Sequence, residues 1–326
     1  MKKYDSLKWI VSIISIGLFL YFFIKNFDLY QVLKIISNVN LKLFIIALFI
    51  YYFSFLIKAA RWKVLLEGIG VRLKFSYISY SIFMCFFFNS LAPMRFGDFY
   101  RMYLLKKNKK IPISKTLGTI FIEKFADAIL LVVAFVILAL AVFHKNLPNL
   151  IFYGAVIGIV LITGFLSVIL LTVIFHDSKT RYLPQRLIML IANFKNALNE
   201  CTDGKILAKV IFFTITDWLF AVVFFYMITL SLNLSLPFPL IAFILTAENL
   251  LTAIPITPAG VGFVESGVSG ILILFGIGKN LSLSVAILDR LVTYWLQIVF
   301  GLLVYLFVKL NLRNKKFRPQ KFLRAQ

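Results

Sequence analysis

The chain is poor in the residues that build disulfide frameworks and metal centres. Its 326 residues include two cysteines, Cys85 and Cys201, and two histidines, His144 and His176. Two cysteines without metal spacing give neither a disulfide framework nor a thiolate site, and two distant histidines make a metal centre unlooked for. Acids are also scarce: 13 Asp and Glu stand against 35 Lys and Arg, for a net charge of +22. No nucleophile elbow, phosphate loop or metal box occurs. The expectation is therefore a protein without a cofactor and without enzymatic chemistry.

What the chain has in quantity is apolar residues, 61% of the total, with only 15% charged and a mean hydropathy of +0.95. Apolar runs of spanning length recur, which defines a polytopic membrane protein and excludes a soluble fold. A net charge of +22 invites a nucleic-acid reading, but position argues against it. The Lys and Arg residues cluster between apolar runs and in the tail, as cytoplasmic segments facing anionic lipid do. The start, MKKYDSLKWIVSIISIGLFLYFFI, has the charge layout of a signal peptide without a small-residue cleavage site, and reads as a retained first helix.

Full spans are expected at roughly 9–26, 43–60, 117–143, 150–175, 207–232 and 284–309, about six in all, from the length and apolarity of the runs. A basic loop with Lys58, Arg61, Lys63, Arg72 and Lys74 is expected after the second span, and within 176–206 an amphipathic helix, either at the cytoplasmic surface or packed on the bundle as a loop helix. Arg95 to Lys115 carries seven Lys or Arg and one acid, and Lys309–Gln326 carries seven and none. The positive-inside rule places both regions, and both termini, in the cytoplasm. The expected domains are 1–310, membrane-embedded, and 311–326, a basic tail.

Two apolar stretches are broken. Asn249–Glu265 contains Pro255, Pro258, Gly260 and Gly262, and 75–100 runs into Pro93 and Gly97 with basic residues on both flanks. Prolines cannot continue a helix, and irregular backbone at membrane depth is tolerated only where it is buried in protein or lines a wet cavity. Each stretch reads as a re-entrant helical hairpin. For 237–278 a pair of full spans around a tight turn remains the alternative. The breaks resemble each other: Pro93-x3-Gly97-Asp98 and Pro258-x3-Gly262-x2-Glu265, followed after 30 and 31 residues by Glu123-Lys124 and Asp289-Arg290. Their charge context is opposite, so an inverted repeat is expected, the pattern of transporter folds. The fold class is all-α.

Six of the 13 acids, Glu123, Asp127, Asp217, Glu248, Glu265 and Asp289, fall in or near spans. Such groups are functional candidates by default, because burying them costs about 2.5–3.5 kcal/mol each at a helix centre. Arg95 and Arg101 flank Asp98, and Arg290 follows Asp289; arginine presents a planar fork of donors that matches phosphate. New helix starts at Gly97-Asp98 and Gly260–Val264 offer free backbone N–H groups to an anion. Trp218 and Trp295 sit near span centres, where helix packing is the plainer reading.

Four segments carry a resemblance. FFFNSLAPMRFGDFYRMYLL, IFIEKFADAILL, IPITPAGVGFVESGV and ILDRLVTYWLQIVFGLLVYL resemble, in that order, the transmembrane region of the lysylphosphatidylglycerol synthases, the flippase-like integral membrane family. The resemblance implies an α-helical membrane domain associated with moving lipids between leaflets, here as a stand-alone member lacking the aminoacyl-transfer domain. It implies a substrate-binding set of Arg95, Gly97, Asp98 and Arg101, then Glu123 and Asp127, then Pro258, Gly260, Gly262 and Glu265, and finally Asp289 and Arg290. Glu248, just before the second break, joins this set on position alone. Where the pattern usually has Arg after the acid that stands here as Glu123, this chain has Lys124, which keeps the charge without the fork.

The expected function is a flippase or transporter for an anionic lipid, either a phospholipid or a polyprenyl-phosphate-linked sugar. A membrane-embedded transferase acting on a lipid-linked sugar and a non-catalytic scaffold are the alternatives. The expected partner is the lipid itself, with no nucleic acid; a homo-oligomer is compatible with the sequence.

Overall fold

The computed structural model describes residues 28–91, 96–143, 164, 185–253 and 260–313. The expected first span, the 150–175 span, the residues around Pro93, Arg95, Pro255 and Pro258, and nearly all of the basic tail lie outside them. Among the described residues every regular element is a helix, as an all-α membrane protein requires: no strand occurs.

The helices follow from the apolar runs. They are α1 (Leu29–Ser37), α2 (Leu41–Gly68), α3 (Phe75–Leu91), α4 (Phe96–Lys109), α5 (Ile113–Phe143), α6 (Gln185–Cys201), α7 (Gly204–Ser231), α8 (Phe238–Ala253), α9 (Phe263–Leu274), α10 (Lys279–Arg290) and α11 (Gln297–Arg313). A π-helical turn, Leu291–Leu296, joins α10 to α11 without a break. Among the described residues, four helices are long and apolar enough to cross a bilayer: α2, α5, α7 and the continuous Lys279–Leu310. At 1.5 Å per residue, the 28 residues of α2 reach about 42 Å, beyond the roughly 30 Å hydrocarbon core.

The helices around the second break are different. With 16 residues in α8 and 12 in α9, they extend about 24 and 18 Å, each short of a crossing. That length favours a broken hairpin over two full spans. Around the first break, α3 has 17 residues and α4 has 14; α4 buries Gly97, Arg101, Met102, Leu104 and Leu105 and leaves Phe96, Phe99 and Tyr103 exposed.

By internal contacts the chain forms two compact units. The first holds residues 28–51, 89–91, 221–253 and 260–299 of the described set; the second holds 52–88, 96–143, 185–220 and 300–313. In the first unit, α1 is capped by Asp28, whose side chain accepts from Gln31 N at 3.2 Å. It docks on α10 through Val32 and Leu283, flanked by Ile36 and Ile287, with Asn280 tying Asp28 and Gln31 together. Asn40 caps α2, accepting from the N–H groups of Lys42 and Leu43.

In the second unit, α6 is the expected amphipathic helix within 176–206, and it packs closely on α5. Gly118 makes that approach possible: a Cβ there would stand 2.6 Å from Ala197 Cβ and 3.2 Å from Phe194 O. Gly118→Leu is therefore expected to cost about 1–3 kcal/mol by overpacking, read as a lower thermal midpoint of the protein in detergent. An unchanged midpoint would mean α6 can move off α5 freely.

Candidate functional site

Among the described residues, the buried charges gather into two clusters, one in each unit. In the second unit the organising residue is Arg101, 1% exposed. Helix α4 starts just after the break and places Asp98 in its first turn and Arg101 one turn later, where the two pair at 2.8 Å. The guanidinium forks Glu123 of α5, with Nη1 donating to Oε2 at 2.9 Å and Nη2 to Oε1 at 3.1 Å. Trp62 of α2 lies against it, 4.9 Å from ring centre to guanidinium carbon, and donates its indole N–H to Thr119 at 3.2 Å. Asp98 also accepts from the Cys85 thiol at 3.4 Å.

Arg61 of α2 makes a second fork, to both oxygens of Asp127, and donates to Thr214 Oγ1 of α7 at 2.9 Å. It also faces Glu123 at 3.6 Å. Lys124 lies 3.3 Å from Glu123 and 3.6 Å from Asp127, closing a chain of six charges. Lys58, one turn before Arg61, pairs with Asp217 of α7. The signs balance: Asp98, Glu123, Asp127 and Asp217 against Lys58, Arg61, Arg101 and Lys124. Balance is what a low-dielectric interior demands, since an unpaired buried charge is costly. One capacity is left over. The Nε–H groups of both Arg61 and Arg101 are buried with no acceptor among the described residues.

The cluster in the first unit is built on the second break. Gly260 and Gly262 have φ of +75° and +91°, in the region only glycine enters without strain. That turn aims the start of α9, and Glu265 at its third position reaches back to accept the Gly262 N–H at 2.7 Å. Its other oxygen accepts from Arg290 Nε of α10 at 3.3 Å. Arg290 lies over the Tyr294 ring. Glu248 of α8 and Asp289 of α10 are within hydrogen-bonding reach of each other, and Thr293 Oγ1 sits 3.5 Å from Asp289 Oδ2. The π-turn begins immediately after Arg290; such turns interrupt helices preferentially at functional positions.

The two clusters are related with charges exchanged. After the first break, the short helix carries the arginine (Arg101) and the long helix the acid (Glu123). After the second, the short helix carries the acid (Glu265) and the long helix the arginine (Arg290). Glu123 and Asp289 each stand ten residues after the start of their helices, Ile113 and Lys279. That is about 15 Å along the axis, well inside the helix rather than near its beginning.

Several expectations are thereby corrected. Lys58 and Arg61 are not in a loop: α2 runs on to Gly68, and Arg61 is 3% exposed. Glu123 is buried, in keeping with its place among the acids in or near spans, although Asp127 keeps some exposure. The start of α9 is not open to an anion at Gly262, because Glu265 occupies that N–H. Arg101 and Arg290 are engaged by carboxylates of the same chain. Trp295 is 58% exposed among the described residues, with its ring edge-on to Tyr294. Of the expected set, Asp98, Arg101, Glu123 and Asp127 come together, with Gly97 buried beside them, and Glu248, Gly260, Gly262, Glu265, Asp289 and Arg290 come together. Arg95 and Pro258 lie outside the described residues. Sequence reasoning missed Lys58, Arg61 and Trp62. The available signal was the apolar pattern continuing past them to Leu66.

Comparison with known proteins agrees with the helical architecture. The family model described as the lysylphosphatidylglycerol synthase transmembrane region matches residues 9–301. A UPF0104 membrane protein of Methanocaldococcus jannaschii is 34% identical over 71% of this chain and 100% of its own length. A second from the same organism is 23% identical over 97% and 99% of the two chains. One from Pyrococcus horikoshii is 23% identical over 83% and 88%. With its long apolar helices and a family match over most of its length, the chain belongs to the integral membrane family of the lysylphosphatidylglycerol synthase transmembrane region.

Proposed function

We propose that the protein is a lipid transporter that moves an anionic lipid, a phospholipid or a polyprenyl-phosphate-linked sugar, between leaflets. The observation that carries this reading is the pair of buried guanidinium groups, Arg61 and Arg101, each with a donor left without an acceptor. Charges inside apolar helices are kept for function or for partners, and arginine is the residue that suits phosphate. In the conformation described, carboxylates fill the forks and the unfilled Nε–H groups are closed off. A headgroup phosphate would reach them when the helices part, taking the place of Glu123 on Arg101. Acyl chains would remain in the bilayer. Both termini are placed on the cytoplasmic side, on the strength of the basic segments 95–115 and 309–326. The protein acts without making or breaking covalent bonds in this scheme, so it is a transporter and not an enzyme.

The test is headgroup quenching. The full chain is reconstituted in liposomes carrying either fluorescent phosphatidylglycerol or a fluorescent polyprenyl-phosphate sugar. Protein-dependent bleaching beyond the outer-leaflet share with one of them supports transport and names the lipid class. No excess bleaching with either would overturn the reading.

A further inference from the structure

We infer that Glu248 and Asp289 form a buried proton-carrying pair, and that loading and unloading this proton couples headgroup movement to the transmembrane proton gradient. The coupling rests on the transport reading above; the proton site stands on its own geometry.

The geometry is a count of donors and charges. Glu248 on α8 and Asp289 on α10 are 7% and 1% exposed, and their carboxyl groups lie within hydrogen-bonding reach. Carboxylates only accept hydrogen bonds, so two of them in contact have nothing to share. Glu248 Oε2 and Asp289 Oδ1 are indeed buried with no donor among the described residues. A single proton supplies the missing donor: as an O–H on one carboxyl it bonds to the other, and the like-charge repulsion goes with it.

The surroundings agree. The charged groups facing the pair are Arg290, beside Asp289 on α10, and Glu265, from α9. Glu265 is engaged with Gly262 N–H and with Arg290 Nε. That leaves one cation against three acids. The element packed on the other side, α1, brings Val32 and Ile36, which are apolar. The cluster in the second unit has no such deficit, since its acids and bases balance one for one. A metal ion does not answer the deficit, because no group of three or more ligating side chains occurs among the described residues, and Arg290 repels a second cation.

The pair also sits where a proton can be traded for substrate. If the headgroup anion, held by Arg101 at one stage of its path, takes Arg290 at another, Glu265 loses its cation and the three acids must bind protons together. When the anion leaves, Arg290 returns to Glu265 and a proton is released. Proton uptake and anion binding are thereby linked in one cluster.

Two readouts test this separately. The first is the infrared spectrum of the reconstituted full chain at neutral pH. The expected result is a C=O band of a protonated, buried carboxylic acid, shifted in heavy water and absent from both Glu248→Gln and Asp289→Asn. The exposed-surface control Glu67→Gln should keep it. No such band, or a band that survives both substitutions, would overturn the proton site whatever the protein transports. The second is the leaflet distribution of fluorescent phosphatidylglycerol in vesicles holding a one-unit pH gradient. For one proton per lipid the steady-state ratio should shift about tenfold, and Asp289→Asn should abolish the shift. Translocation indifferent to the gradient would overturn the coupling while leaving transport intact. An infrared band without any translocation would overturn transport while leaving the proton site.

Discussion

Arg101→Ala is expected to lower the stability of the protein by about 3–5 kcal/mol, the range for breaking a buried ion pair from one side. The variant removes the partner of both Glu123 and Asp98 and the group that lies against Trp62. Glu123 would keep Lys124 and a longer contact to Arg61, which offset only part of the loss. Against a typical total of about 5–15 kcal/mol, that is a large share. The thermal midpoint of the purified protein in detergent should fall by roughly 4–7 °C. Arg101→Lys should recover little, because an ammonium cannot make the two-pronged contact with Glu123. A midpoint within a degree of wild type would show that the cluster is hydrated in the protein and that burial of Arg101 is not as described.

The second large effect is expected from Arg290→Ala. It leaves Glu248, Glu265 and Asp289 together, buried, with no cation among the groups that face them. Charged carboxylates in that setting must either be solvated by local opening or take up protons. The variant should thus be strongly destabilised at neutral pH and recover as the pH falls. The sign follows from linkage: its folded state binds more protons than its unfolded state, so acid favours folding. Wild type, with Glu265 paired to Arg290, should show less of this recovery. The check is the thermal midpoint measured across a pH series for both proteins. Parallel curves would contradict the charge count in this cluster.

The sequence made the architecture legible because spanning helices are written in local composition. The runs that became α2, α5, α7 and the last long helix could be read one at a time. The second break was equally local: Pro255, Pro258, Gly260 and Gly262 in one short stretch exclude a continuous helix. Lys58 and Arg61 were misplaced for the opposite reason. In their own neighbourhood they look like the basic end of a span. What buries them is Asp217, Asp127 and Glu123, which lie far along the chain and come near only when the helices pack. Charge rules for loops have no access to such pairings.

Glu265 is a different case. The spacing Gly262-x-x-Glu265 is that of a helix start closed by its own third residue, and the cap could have been read directly. The expectation of an anion site there overlooked a carboxylate that the chain supplies itself. The exchange of charge between Arg101–Glu123 and Glu265–Arg290 was also hidden. The sequence repeat aligns Glu123 with Asp289 and Lys124 with Arg290, whereas the ion pairs are formed by other combinations.

The most direct measurement separates the ion cluster as scaffold from the ion cluster as headgroup path. Arg101→Met and Glu123→Leu are combined in one protein. Removing both members keeps the remaining charges equal in number, Arg61 and Lys124 against Asp98 and Asp127, although Asp98 loses its arginine and keeps the Cys85 thiol. Replacing a buried pair by apolar side chains of similar size is often neutral for stability. The double variant should therefore fold, with a thermal midpoint above that of Arg101→Ala, because no carboxylate is left at position 123. In liposomes carrying the lipid that wild type moves, its headgroup-quenching trace should stop at the outer-leaflet share. A well-folded double variant that bleaches as wild type does would contradict the claim that this arginine carries the lipid's anion.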